Sequence, residues 1–83
     1  MAKQKVAWQL VEWYRGCPIE CRPGLLQRGY TSIYHNWYHK GDIGNFIHGS
    51  LENARKHIDK LHKDLGDRVT VTEEEYQAFI SDD

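Results

Sequence analysis

The 83-residue chain has no apolar run longer than three residues, only two cysteines, two prolines and one methionine, and a net charge of −1. A bilayer-spanning helix needs roughly 20 consecutive apolar residues, and the opening Met1, Ala2, Lys3, Gln4, Lys5 leads into no signal-type apolar stretch. A soluble, cytoplasmic protein with no membrane partner is therefore expected. Two cysteines are too few for the disulfide framework of a small secreted domain, which fits a reducing compartment. No phosphate-cradling glycine loop, dinucleotide fingerprint, G-x-S-x-G or H-E-x-x-H is found, so neither an enzyme nor a cofactor is expected.

What is present is aromatic: three Trp, five Tyr and two Phe in one small chain. Its length holds a single domain, 1–83, with a stability of about 4 to 12 kcal/mol. Charge is unevenly spread. Residues 1–66 carry ten Lys/Arg against six Asp/Glu, whereas residues 67–83 carry one against six. The near-neutral total provides little long-range steering toward a polyanion.

Residues 5–14 (KVAWQLVEWY) are rich in Val and Trp and stop at a glycine. They read as a strand with Val6, Trp8, Leu10 and Tyr14 on one face and Glu12 intruding, although Ala7, Leu10, Val11 and Tyr14 also fit a helical period. Residues 17–22 (CPIECR) form a second short strand ending at Pro23-Gly24. Residues 30–38 (YTSIYHNWY) form a third, and 43–48 return from a Lys40-Gly41-Asp42 turn as a hairpin partner.

The clearest element is a helix over 51–65. Leu51, Ala54, Ile58, Leu61 and Leu65 recur at alternating spacings of three and four, Ser50 is the N-cap and Gly66 the stop. Glu52 with Lys56, and Asp59 with Lys63, are spaced as i,i+4 pairs. Residues 68–71 are expected to be a short strand. Thr72-x-x-Glu75 is a capping box that opens a last helix through Ile80.

The expected fold class is α+β: a three- to four-stranded, mainly antiparallel sheet packed on one amphipathic helix (about 50–65). A short C-terminal helix (about 73–80) covers an edge or end. The helix stripe is expected to pack on Trp8, Leu10, Ile33 and Ile47.

Three groups of residues point to different functions. Leu25 and Leu26 lie in a turn-rich connection, and Trp37 and Tyr38 close to a hairpin turn, positions from which apolar groups reach a partner protein. Arg15, Arg22, Arg28 and Lys40 alternate with aromatics in the strand-rich half, as in a nucleic-acid-binding face where cations hold phosphates and rings stack on bases. The sheet core itself accounts for the same rings. Cys17-x3-Cys21 and His35-x3-His39 fall within the spacing window of a two-Cys, two-His zinc site. Two residues four apart on a strand stand roughly 13 Å from each other, so the strand reading expects no metal.

The run Gly29-Tyr30-Thr31, Ile33-Tyr34, Lys40-Gly41, Ile43-Gly44, Ile47 and residues 49–59 (GSLENARKHID) resembles the ending of many small bacterial and phage domains, a strand meander followed by a helix. More distantly it is similar to the three-stranded sheet plus helix of integrase arm-binding and AP2-like DNA-binding domains. The resemblance covers about 30 residues, implies the fold and transfers no functional residue. The resulting functional expectation is a small non-catalytic protein-interaction module, such as an accessory factor or inhibitor of the kind phages and mobile elements encode. The alternatives are a nucleic-acid-binding domain and a small structural zinc domain.

Overall fold

The computed structural model describes residues 9–23 and 28–81. Four strands, β1 (Gln9–Tyr14), β2 (Cys17–Pro23), β3 (Arg28–Asn36) and β4 (Asp42–His48), form one antiparallel sheet in the order of the chain. Helix α1 (Leu51–Leu65) follows, then a single 3-10 turn (Gly66–Val69) and helix α2 (Glu73–Ile80). The α+β class, both helices and their boundaries agree with the sequence reading. Residues 9–14 are strand rather than helix.

Among the described residues, the β1–β2 and β3–β4 connections both use left-handed backbone, the latter at Lys40 and Gly41. Arg15 (φ 51°) and Gly16 (φ 85°) form the two-residue loop between β1 and β2, where positive φ at both positions matches the twist of the flanking strands. In α1, the Ser50 side chain accepts from the Asn53 N–H, and the buried Ala54, Ile58 and Leu61 face the sheet. The Thr72–Glu75 capping box is complete in both directions.

The two helices lie on opposite faces of the sheet. Against α1 pack Cys17, Ile19 and Tyr34, with Tyr14 and Tyr30 at the margin. The other core joins Ile33 to Val71 and Tyr76, flanked by Ile43, Phe79 and Ile80. Helix α2 thus covers a face rather than the expected edge or end. Side-chain alternation explains this: on β3, even residues from Tyr30 to Tyr34 meet α1 while Ile33 and His35 meet α2.

That alternation also corrects the expected core. Ile33 is fully buried but against α2, and Ile47, on the same face, is 61% exposed. Leu10 is 45% exposed. A bulge between Leu10 and Glu12 breaks the ladder, so Leu10, paired with Glu20, and Trp13, paired with Pro18, share the α2 face while Glu12 and Tyr14 face α1. Leu10 and Tyr14 consequently do not share a face. Val6 and Trp8 lie outside the described residues.

Residues 68–71 are not a strand. The chain passes here from one face of the sheet to the other, and a ladder partner would hold it on one side. Val69 enters the α1 core and Val71 the α2 core. Asp59 also departs from expectation, since it binds Arg15 and Tyr14 of the first hairpin, while Lys60 and Asp64 form the i,i+4 pair at 2.9 Å.

Ile58→Ala, at a fully buried position, is expected to lower the free energy of unfolding by about 2 to 5 kcal/mol. Leu10→Ala should cost less than half as much in the same urea titration, because nearly half of that side chain already meets water.

Candidate interaction surface

In an antiparallel meander, alternate turns fall at the same end of the sheet. The Arg15-Gly16 turn and the connection 37–41 therefore share one end, and β2 finishes and β3 begins at the other. This places Arg15 and Lys40 at one end and Arg22 and Arg28 at the opposite one. The four positions proposed to hold nucleic acid are thus divided between two ends of the sheet. Arg15 is moreover engaged, donating to Asp59 Oδ1 at 2.9 Å. Leu25 and Leu26 lie outside the described residues.

The connection 37–41 carries the aromatic pair singled out in the sequence. Trp37 is 42% and Tyr38 59% exposed, yet each is fixed by its polar end. The Trp37 indole N–H donates to the Arg68 carbonyl at 2.8 Å, and the Arg68 guanidinium lies 5.4 Å from the ring centre. The Tyr38 hydroxyl donates to Asp64 Oδ2 at 2.7 Å, which raises the Tyr38 pKa and lowers that of Asp64. Asn36 accepts from the Tyr38 N–H at 3.1 Å and shapes the start of the turn.

Gly41 completes the tip. Its φ of 84° belongs to the left-handed region, and a Cβ there would stand 2.5 Å from the Trp37 ring. The indole lies on the glycine backbone. Beneath it, His35 on the α2 face bridges the Gly41 carbonyl (2.8 Å) and Glu75 Oε2 (3.1 Å). Burial works against protonation of His35, but the Gly41 carbonyl and Glu75 together outweigh it and hold the imidazole above its ordinary value.

The residues of the zinc alternative are not brought together. Cys17 is fully buried against α1, its thiol 3.7 Å from the Val69 carbonyl, and burial pushes its pKa to about 12. His35 lies on the opposite face, His39 is exposed in the tip, and Cys21 is a free thiol. Among the described residues, no group of three or more His, Cys, Asp or Glu gathers as a metal site requires.

One cluster was missed by sequence reasoning. Ser32 Oγ lies 3.2 Å from His48 Nε2 and 3.0 Å from His57 Nδ1, and the two imidazoles stand 4.8 Å apart under Phe46. The signal was the place of His57 beside the Ala54, Ile58, Leu61 stripe, which turns it toward the sheet. Its partners come from two other elements. Ser32 is fully buried, out of reach of a substrate, so the cluster serves to pin α1 to β3 and β4.

Burial holds His48 below the ordinary imidazole pKa; for His57 burial is joined by the charges of His48 and Lys60. The unfolded chain then binds more protons than the folded one as pH falls below about 6.5, and stability drops. His35 has the opposite sign. Its stabilisation is full below about 6.5 and is lost as pH rises through its elevated folded value. Thermal midpoints across pH 5 to 8, roughly the range in which histidine titrates, should pass through a maximum. His57→Asn should flatten the acid limb, and His35→Gln the alkaline one.

Gly41→Ala should displace the Trp37 indole and destabilise the fold by more than about 1 kcal/mol. Near-ultraviolet circular dichroism and urea unfolding check both effects.

Comparison of the chain with family models, curated proteins and solved structures found no match to any of the three, so the functional reading rests on the geometry of this surface.

Proposed function

We propose that the chain is a small non-catalytic protein-binding module whose contact is the aromatic tip formed by Trp37 and Tyr38. The observation that carries this is the combination of exposure and restraint at the tip. Both rings present apolar area to solvent, and both are held in place by hydrogen bonds from their polar atoms. An exposed aromatic that is already fixed loses little conformational freedom on binding, which is how large side chains become the energetic centre of a contact. The partner surface that fits is an apolar pocket able to admit an indole and a phenol side by side.

Several other exposed charges are paired within the fold. Arg55 binds Glu12 in a bidentate pair at 2.8 Å, Arg15 binds Asp59 and Lys60 binds Asp64. This leaves the tip more distinctive as a recognition feature than the basic residues. The four positions of the nucleic-acid reading are divided between two ends of the sheet. Among the described residues, no helix is long and apolar enough to cross a membrane.

Affinity capture with the full chain and with a Trp37→Ala, Tyr38→Ala double variant tests the proposal. A protein retained by the wild type should be lost at least about tenfold in the double variant, as expected for removal of a contact centre. Equal retention by both would overturn the assignment of the tip. Low-salt mobility shifts that weaken steeply with added salt would favour nucleic acid instead.

A further inference from the structure

The two edges of the sheet are treated differently by the sequence. Strand β1 is interrupted by the bulge at Val11 and carries Glu12, devices that discourage another strand from adding to an edge. Strand β4 has no bulge, and its one acidic side chain, Asp42, stands at its first position. It pairs with β3 over seven consecutive residues without a register shift, contains no Lys, Arg or Pro, and is partnered by β3 alone among the described residues. It also carries Phe46, 54% exposed, and Ile47, 61% exposed, on its two faces.

The order of residues along β4, Asp-Ile-Gly-Asn-Phe-Ile-His, is complementary to its own reverse. With an antiparallel two-fold through Asn45, Ile43 stands opposite Ile47 of a second copy, Gly44 opposite Phe46, and Asp42 opposite His48. Each pairing is favourable on its own face: apolar with apolar, aromatic over glycine, carboxylate beside imidazole. The space is available, since a Cβ added at Gly44 would meet only Asn36 Cβ, at 3.9 Å. Moving the axis to Phe46 sets Ile47 against Asn45 and loses Asp42 from the ladder. Moving it to Gly44 sets Phe46 against Asp42 and loses His48. The register centred on Asn45 alone uses all seven residues.

We infer that two copies of this chain associate through β4, joining their sheets into one continuous eight-stranded antiparallel sheet with the two-fold axis at Asn45. The axis is isologous, so every contact occurs twice and the assembly closes as a dimer. The Trp37 and Tyr38 tips remain outside the added ladder, and each dimer carries two of them.

Sedimentation equilibrium of the full chain, from about 1 µM to 1 mM, reads the mass over the range in which weak to moderate dimers dissociate. A concentration-dependent dimer is expected. Ile47→Lys, at an exposed position that leaves the folded circular dichroism unchanged, should raise the dissociation constant at least about tenfold by placing a cation against Ile43 of the second copy. Register is read separately in a Cys21→Ser background. Asn45→Cys should form a disulfide-linked dimer on mild oxidation, because residues facing each other across the axis have Cα atoms about 4.5 to 5.5 Å apart. Lys56→Cys, exposed on α1, should not. A monomeric mass at every concentration, a dimer indifferent to Ile47→Lys, or cross-linking no faster at Asn45 than at Lys56 would each overturn the inference.

Discussion

The fold depends on how the chain crosses from one face of the sheet to the other. Residues 66–72 pass around the end of the sheet that carries the Arg15-Gly16 turn and the aromatic tip, and a backbone carbonyl of the first turn and a side chain of the second hold them. The Val71 N–H donates to the Gly16 carbonyl at 2.9 Å, and the Arg68 carbonyl accepts from Trp37. His62 reaches the Arg15 carbonyl at 2.8 Å. Gly16 lies so close to Thr70 that a Cβ there would stand 2.6 Å from its methyl group. With this strap in place, Val69 and Val71, two residues apart, fill two different cores. A short chain thus buries both faces of its sheet, which its limited apolar content would not otherwise accomplish.

The strap and the tip are one structure. Trp37 rests on Gly41, bonds to Arg68 in the strap and stacks beneath the guanidinium of the same residue. His35 ties the tip to Glu75, which in turn completes the capping box of α2. The aromatic tip therefore inherits its rigidity from the packing of the second helix rather than from the hairpin alone. On the far side of the molecule, the Ser32, His48, His57 cluster holds α1 to the two strands nearest the β4 edge. The opposing protonation preferences of that pair and of His35 make the attachment of the two helices respond to pH in opposite directions.

Buried polar groups set the relation between the layers as much as apolar packing does. Tyr76 crosses from α2 to donate to Glu20 on β2 at 2.6 Å and meets Trp13 edge-on at 5.5 Å. Burial and this hydrogen bond both raise the Tyr76 pKa, which keeps its proton on the phenol where the bond requires it. Arg55 and Asp59, one turn apart on α1, reach Glu12 and the Tyr14–Arg15 pair of the first hairpin. These bonds orient α1 across the strands, a direction that an apolar stripe specifies only loosely.

Local chemistry determined much of this protein before any tertiary contact. The 3.6-residue stripe of α1, its Ser50 cap and Gly66 stop, the Thr72–Glu75 capping box and the strand-turn-strand character of residues 9–48 all follow from interactions within a few residues, so they are legible in the sequence. So was the exposure of Trp37 and Tyr38 beside a turn. Tertiary structure alone decided which face each residue serves. A single bulge at Val11 reversed the parity of β1 and separated Leu10 from Tyr14, and the crossing at 66–72 sent Ile33 to a second core instead of the first. The joining of Ser32, His48 and His57 depended on the register of β4 and the rotation of α1 together. Such outcomes turn on one-residue shifts between distant segments, because the side-chain period of a strand is two and a shift of one sends every residue to the other side.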